Sequence, residues 1–304
     1  MRIVRFEHGG MAGVGVVRDD QVFPVGESLD DLIAGAVPSV SEVSHPLDEV
    51  RLLAPIAESS RGMFCFGINY VDHQRESADH FVAQIPTDPI VFFKTRSALA
   101  GPADELELDE SVSAEFDWEV ELGVVIGRAG RNITPETVAE HIFGYTVVND
   151  VTARDLQKRF SQWHIGKNID ASTPVGPWVV TADEIAYPPA VEVSLRVDGT
   201  EKQRASTTDM IFSISQQICT LSRYLELQPG DIIATGTPSG VGFTRTPPEF
   251  LVPGVVVEAE VSGIGRLSNA IRRAPDAPMH PPAELVFDEL SPTATQPTAQ
   301  QGAR

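Results

Sequence analysis

An α+β fold dominated by strands, with few helices, is the architecture the sequence predicts. Short runs of β-branched and aromatic residues outnumber stretches with helical spacing. The elements do not repeat as strand, helix, strand, which argues against a doubly wound sheet. The run Val257-Glu258-Ala259-Glu260-Val261 alternates strictly, as a half-exposed antiparallel strand does. With 304 residues, 42% of them hydrophobic, the chain has material for one large domain or a main domain with a smaller companion.

Residues 1–57 read as a small β-rich module. Strands are expected over 3–6, 14–17 and 21–24, separated by Gly9-Gly10 and Asp19-Asp20, with a short helix beginning at Leu29. The main body is expected over 58–273. Its strands fall at 63–66, 90–93, 122–126, 145–148, 178–180, 191–197, 232–234 and 255–261. A helix is expected over 135–143, where Thr134 offers an N-cap and Pro135 the first helical position. A short polar one follows over 152–159. A third covers 209–225, with apolar residues at 211, 214, 218, 221 and 225. From 274 to 304 the chain turns Pro-, Thr- and Ala-rich, and a flexible tail with little to bury is expected.

The net charge of −20, from 43 acids and 23 bases, argues against a nucleic-acid partner, since phosphate contacts need a basic surface, and disfavours an anionic membrane. Cys65 and Cys219 are too few for a disulfide framework or a cysteine zinc site. No apolar run is long enough to span a bilayer, and the opening residues lack the apolar core of a secretion signal. A cytoplasmic location is expected.

The segment Phe116-Asp117-Trp118-Glu119-Val120-Glu121-Leu122-Gly123 places acids at every second position. Read as one strand, Asp117, Glu119 and Glu121 share a face. Such crowded carboxylates need a cation or a strong donor among them, and a hard divalent ion on oxygen ligands is the natural answer; the bland alternative is a solvated strand face. A further acid, Asp150, follows an apolar strand in Val148-Asn149-Asp150-Val151-Thr152-Ala153-Arg154-Asp155. Next come Gly166-Lys167 and the Gly/Thr-rich loop Thr235-Gly236-Thr237-Pro238-Ser239-Gly240, whose glycines let backbone approach a ligand.

Taken with Gly67-Ile68-Asn69-Tyr70-Val71-Asp72-His73, these blocks resemble, in order, those of the fumarylacetoacetate hydrolase family over roughly residues 62–272, in its acylpyruvase or 2-hydroxyhepta-2,4-diene-1,7-dioate isomerase-like branch. The resemblance implies a mixed β-sandwich roll, usually a homodimer, holding Mg²⁺, Mn²⁺ or Ca²⁺. It implies Glu119, Glu121 and Asp150 as metal ligands, an all-carboxylate set that favours Mg²⁺ or Mn²⁺ over zinc. Asp117 is then structural. Lys167 matches a lysine that stabilises an enolate, and His73 with Glu76 a lid pair acting as general base. Gln157, Gly236 and Thr237 match substrate-binding positions; His80 and His164 have weaker claims. One departure is Ile68, where many acylpyruvase-like members carry arginine: either that contact to a substrate carboxylate is missing, or Arg96 or Arg75 supplies it. The 77–89 connection is long enough to shape the pocket. The implied activity is hydrolysis of a C–C bond in a β-diketo acid. The alternatives on the same site are oxaloacetate decarboxylation and isomerisation or tautomerisation of 2-hydroxydienoates, and a non-catalytic metal- or ligand-binding protein is the remaining one.

Overall fold

The structure, a computed structural model, describes residues 1–81 and 83–275. The expected tail therefore lies, from residue 276 on, outside the described residues. Strands predominate over five short α-helices, as the sequence predicts. They form two sheets, of twelve and five strands, besides one isolated two-stranded pairing.

The larger sheet runs His45–Pro46, Gln21–Val25, Met11–Arg18, Arg2–His8, Thr173–Thr181, Ile142–Asn149, Val120–Ile126, Ile232–Ala234, Gly62–Gly67, Ile90–Thr95, with two short strands attached at its sides. The first strand of the N-terminal stretch joins it directly, Arg2 and Ile3 pairing with Val180 and Val179. The smaller sheet runs Thr200–Ser206, Glu192–Val197, Val256–Val261, Gly265–Arg273, Leu106–Leu108. The main core lies where the two sheets face each other: Leu122, Val124, Tyr145 and Val147 pack in one cluster with Val193, Leu195, Val257 and Leu267. This is the sandwich arrangement expected. The opposite face of the large sheet is also covered, Val125 and Val179 packing with Leu29, Leu32 and Ile33 of the first helix.

Val120–Ile126 is buried along its whole length. Its even-numbered residues point into the inter-sheet core, so period-two alternation turns Glu121 to the other face. Antiparallel pairing sets Val120 opposite Asn149 and Glu121 opposite Val148, which brings Asp150 beside the start of this strand. Gly123 pairs with Ala234, so Thr235-Gly236-Thr237 continues alongside Glu121. Ala234 in turn pairs with Cys65 in parallel, bringing residues 66–69 to the same edge. Four segments distant in sequence thus end at one place.

Three elements differ from expectation. The acidic segment is not one strand: Phe116–Asp117 pairs with Thr152–Ala153, and Val120–Ile126 with Ile142–Asn149. Trp118 and Glu119 lie between them, because Asp117 takes the Trp118 amide and Asn149 Oδ1 takes that of Glu119. Residues 135–143 hold a single 3₁₀ turn, Val138–His141, since Ile142 is drawn into register with Ile126. The last helix spans Ile214–Tyr224, shorter than the expected 209–225, because the Ser213–Gln216 capping box starts it there.

Candidate metal and active site

Glu119, Glu121 and Asp150 each offer a carboxylate oxygen, all within 4.8 Å of one another, and all three residues are buried. Backbone pins the group together, the Asp150 amide donating to the Glu119 carbonyl at 2.8 Å. The Gly236 amide donates to Glu121 Oε2 at 2.7 Å. Gly236 has φ +100°, and a Cβ there would meet Asn69 Cβ at 2.6 Å and the Phe66 carbonyl at 2.9 Å, so only glycine brings this amide so close. Asp117 does not join the triad. It lies in a nest of its own, accepting the Gly242 and Phe243 amides and facing Arg154 Nε at 2.8 Å.

Buried cations surround the acids. Lys167 Nζ bridges Glu119 Oε2 at 2.7 Å and Asp150 Oδ2 at 2.8 Å. Its short helix sits tight against the preceding one: a Cβ on Gly166 would meet the Gln157 nitrogen at 2.5 Å. Arg154 places Nη2 2.7 Å from Glu119 Oε1, close but off the N–H direction, and donates from Nη1 to Gln157 Oε1 at 3.0 Å. Lys94, carried on Ile90–Thr95, reaches Asp150 Oδ1 at 2.5 Å.

His73 is 4% exposed, and its Nδ1 lies 2.8 Å from Glu76 Oε1. Glu76 also takes the Gly240 amide and the Thr244 hydroxyl. As a carboxylate that only accepts, it fixes the hydrogen on Nδ1 and leaves the His73 Nε2 lone pair free. His73, Glu119, Glu121, Arg154, Gln157, Lys167 and Thr237 line one pocket, with Phe81 and Trp163 also in its wall. Its free space, about 20 Å³, holds little more than one water. Phe81 and Phe92 both stack edge-on to Trp163, at 5.5 and 5.6 Å, so the 77–89 connection does supply a wall. Thr237 is engaged within the protein, donating to the Val120 carbonyl and accepting from Gln203. His80 and His164 are exposed, His80 against Phe243 and His164 on Asn168. Neither lines the pocket. Arg96 spends its guanidinium on the Ala57, Glu58 and Ser60 carbonyls, and exposed Arg75 pairs with Asp72. The guanidinium in the pocket is that of Arg154.

Residues 62–272 match the family model described as fumarylacetoacetate (FAA) hydrolase, C-terminal. The chain belongs to the fumarylacetoacetate hydrolase family. Residues 1–55 match a second model, Rv2993c-like, N-terminal. Among curated members of the hydrolase family, the oxaloacetate tautomerase YisK of Bacillus subtilis is 47% identical over 227 residues, 75% of each chain. The human mitochondrial oxaloacetate tautomerase FAHD2A is 41% identical over 228 residues, covering 74% of this chain and 71% of the relative. Solved family structures include a fumarylacetoacetate hydrolase from Exiguobacterium antarcticum (TM-score 0.80, 39% identity, 90% of this chain and 99% of that one). Another is a 2-hydroxyhepta-2,4-diene-1,7-dioate isomerase from Mycobacterium marinum (TM-score 0.76, 32% identity, 91% and 100%).

The family site here fits a divalent cation. Its donors are oxygens only, they converge, and Asp150 and Glu119 repel the charged form of Glu121. Burial, then the neighbouring Asp150 and Glu119, pushes the Glu121 carboxyl far above its ordinary range. Burial also pushes Glu119 up, but Lys167 and Arg154 outweigh it and bring the group down to about 2. Burial opposes the Lys167 ammonium, yet Asp150 and Glu119 hold its pKa above the usual value, so it is a fixed cation and not a base at neutral pH. Burial raises Asp117 even against Arg154.

These shifts set a pH dependence. A carboxyl whose folded pKa is raised adds stability that is complete below its unfolded pKa and lost as pH rises through the folded one. Glu121 and Asp117 are of this kind. Glu119 has the opposite sign, but its window lies below 4.5, down to about 2. In chelator, the melting temperature is therefore expected to fall as pH rises from mildly acidic to neutral. Saturating Mg²⁺ or Mn²⁺, by favouring ionised Glu121, should flatten that slope. A flat profile in chelator would contradict the assignment.

Two site residues have no role in the sequence reading. Lys94 gives no signal there, lying 56 positions before its partner Asp150. Arg154 stands in a quoted motif, but only the fold shows it joining Asp117 to Glu119.

Proposed function

We propose that the protein is a divalent-metal-dependent enzyme that interconverts keto and enol forms of a small 2-keto dicarboxylic acid of the oxaloacetate type. The observation that carries this is the 47% identity to an oxaloacetate tautomerase over 227 residues, 75% of the chain. The proposal joins the substrate of one alternative expected from sequence, oxaloacetate, to the proton-transfer chemistry of the other, and places this ahead of C–C hydrolysis. It also asks less of the pocket: an enolate to stabilise and one proton to move, with no attacking water to place.

Glu119, Glu121 and Asp150 would hold Mg²⁺ or Mn²⁺, which when bound supplies a Lewis acid for the oxygens of a 2-keto acid. Lys167, held as a cation, supports the negative charge that develops on the 2-oxygen. Arg154, with Gln157 on its Nη1, presents positive charge toward a substrate carboxylate. His73 Nε2 takes the proton from the carbon next to the keto group, and Glu76 stabilises the resulting imidazolium through Nδ1–H. The same proton is returned to the 2-oxygen, giving the enol; the reverse path gives the ketone. Phe81 and Trp163 shield the enolate from bulk water.

The test follows ultraviolet absorbance of the oxaloacetate enol as it relaxes to the ketone, with Mg²⁺ and with chelator. Metal-dependent acceleration is expected. Faster release of pyruvate from an acylpyruvate than enol decay would return the assignment to the hydrolase. His73→Ala is expected to slow tautomerisation by about 10²–10⁴-fold, the range for a general base, while oxalate affinity measured by calorimetry is kept. Unchanged turnover in His73→Ala would remove the histidine from the mechanism.

A further inference from the structure

Each carboxylate of the triad has one oxygen already taken. Glu119 Oε1 faces Arg154 Nη2 at 2.7 Å, Glu121 Oε2 accepts the Gly236 amide at 2.7 Å, and Asp150 Oδ1 accepts from Lys94 Nζ at 2.5 Å. That leaves Glu119 Oε2, Glu121 Oε1 and Asp150 Oδ2. Lys167 spans two of these three, at 2.7 and 2.8 Å, so it is the cation that an ion would displace from those oxygens. Lys94 differs from Lys167, being on the far side of Asp150. It is fully buried, its ammonium is also tied to the Val151 carbonyl at 3.0 Å, and its strand is fixed by the pairing of Met63 with Lys94. It cannot swing away to free Oδ1 without breaking both contacts.

We propose that Lys94 is a positioning residue that makes the site selective for ion size: by occupying Asp150 Oδ1 it holds the aspartate to a single coordinating oxygen and so favours Mg²⁺ or Mn²⁺ over Ca²⁺. The physical basis is the difference in coordination. Ca²⁺ takes six to eight oxygens and uses bidentate carboxylates readily, whereas Mg²⁺ demands near-octahedral geometry with one oxygen per ligand. Arg154 and the Gly236 amide act alike on Glu119 and Glu121, so at most three oxygens come from the triad. Among the described residues, Lys94 is ion-paired with Asp150 alone, whereas Arg154 also carries Asp117 and Glu121 is held by a backbone amide, and Lys94 is therefore where selectivity can be altered separately. The inference rests on the metal-bound reading above and assigns a role to a residue outside the coordinating set.

The experiment is calorimetric titration of the full chain with Mg²⁺, Mn²⁺ and Ca²⁺ in turn, comparing wild type with Lys94→Met and Lys94→Arg. Removing a positive charge raises affinity for every divalent ion, so the readout is the ratio of Ca²⁺ to Mg²⁺ affinity. Lys94→Met is expected to raise this ratio by about tenfold, the lower end of what a partner to a metal ligand controls. Lys94→Arg, which keeps a charged donor, should stay near wild type. A ratio unchanged in Lys94→Met overturns the proposal. Should Lys94→Met fail to fold, the wild-type protein still decides, because equal affinity for Ca²⁺ and Mg²⁺ there overturns it as well. If the wild-type protein bound none of the three ions, the metal-dependent function itself would fall, an outcome distinct from an unaltered ratio.

Discussion

Glu119→Ala is expected to lower kcat/KM by about 10²–10³-fold, the scale on which loss of one preorganised electrostatic group is felt. Ion affinity should fall with it. The residue meets four groups of the site: Arg154 on one oxygen, Lys167 on the other, the Asp150 amide on its carbonyl and Asn149 on its own amide. The backbone contacts survive the substitution. Both cations keep a second acid as well, Asp117 for Arg154 and Asp150 for Lys167. The variant is therefore expected to fold and to fail in binding and chemistry, a separation that a thermal melt, a Mn²⁺ titration and the enol assay would show together. Full activity in this variant, or in thoroughly chelated wild type, would remove the ion from the reaction. Glu119→Gln sharpens the result: it keeps the shape and loses the charge, so a comparable loss of activity assigns the effect to charge.

The parts of this site that could be read from sequence are those encoded by short-range pattern. Glu119 and Glu121 stand two apart, and Asp150 follows an apolar strand, so periodicity and motif order point to them before any contact is known. The chain does bring these three together. The strand runs were equally legible, because β-branched residues at period two fix both element and buried face. What was not legible depends on partners far along the chain. The acidic segment breaks at Trp118 because Asp117 is claimed by the amides of Gly242 and Phe243, more than a hundred residues later. Residues 135–143 carry good helix-start signals, but pairing of Ile142 with Ile126 takes precedence, as tertiary context does over local propensity. Lys94 sits in an apolar strand with nothing nearby in sequence to mark its buried charge as paired.

Arg154→Met is expected to cost about 3–5 kcal/mol of stability, the usual cost of removing one partner from a buried ion pair. On the thermal scale that is on the order of 10 °C. Arg154 is 1% exposed and Asp117 is fully buried, so solvent cannot take over the lost contact. Asp117 retains the Trp118, Gly242 and Phe243 amides, but these donors alone must then carry a full charge in a dry site. Much of the loss is therefore the penalty of a stranded carboxylate and not the worth of the pair itself. Asp117→Asn removes that charge while its amide oxygen can still accept from the backbone. Combined with Arg154→Met, it is expected to be more stable than Arg154→Met alone, which urea denaturation of the two variants would measure. Losses that simply add would mean the two residues act independently, contrary to the 2.8 Å contact between them. Lysine is not expected to replace the arginine, since a single ammonium cannot meet Asp117, Glu119 and Gln157 at once as the planar fork does. A stability loss in Arg154→Lys close to that of Arg154→Met would show that the fork, more than the charge, ties the Asp117 nest to the acids of the site.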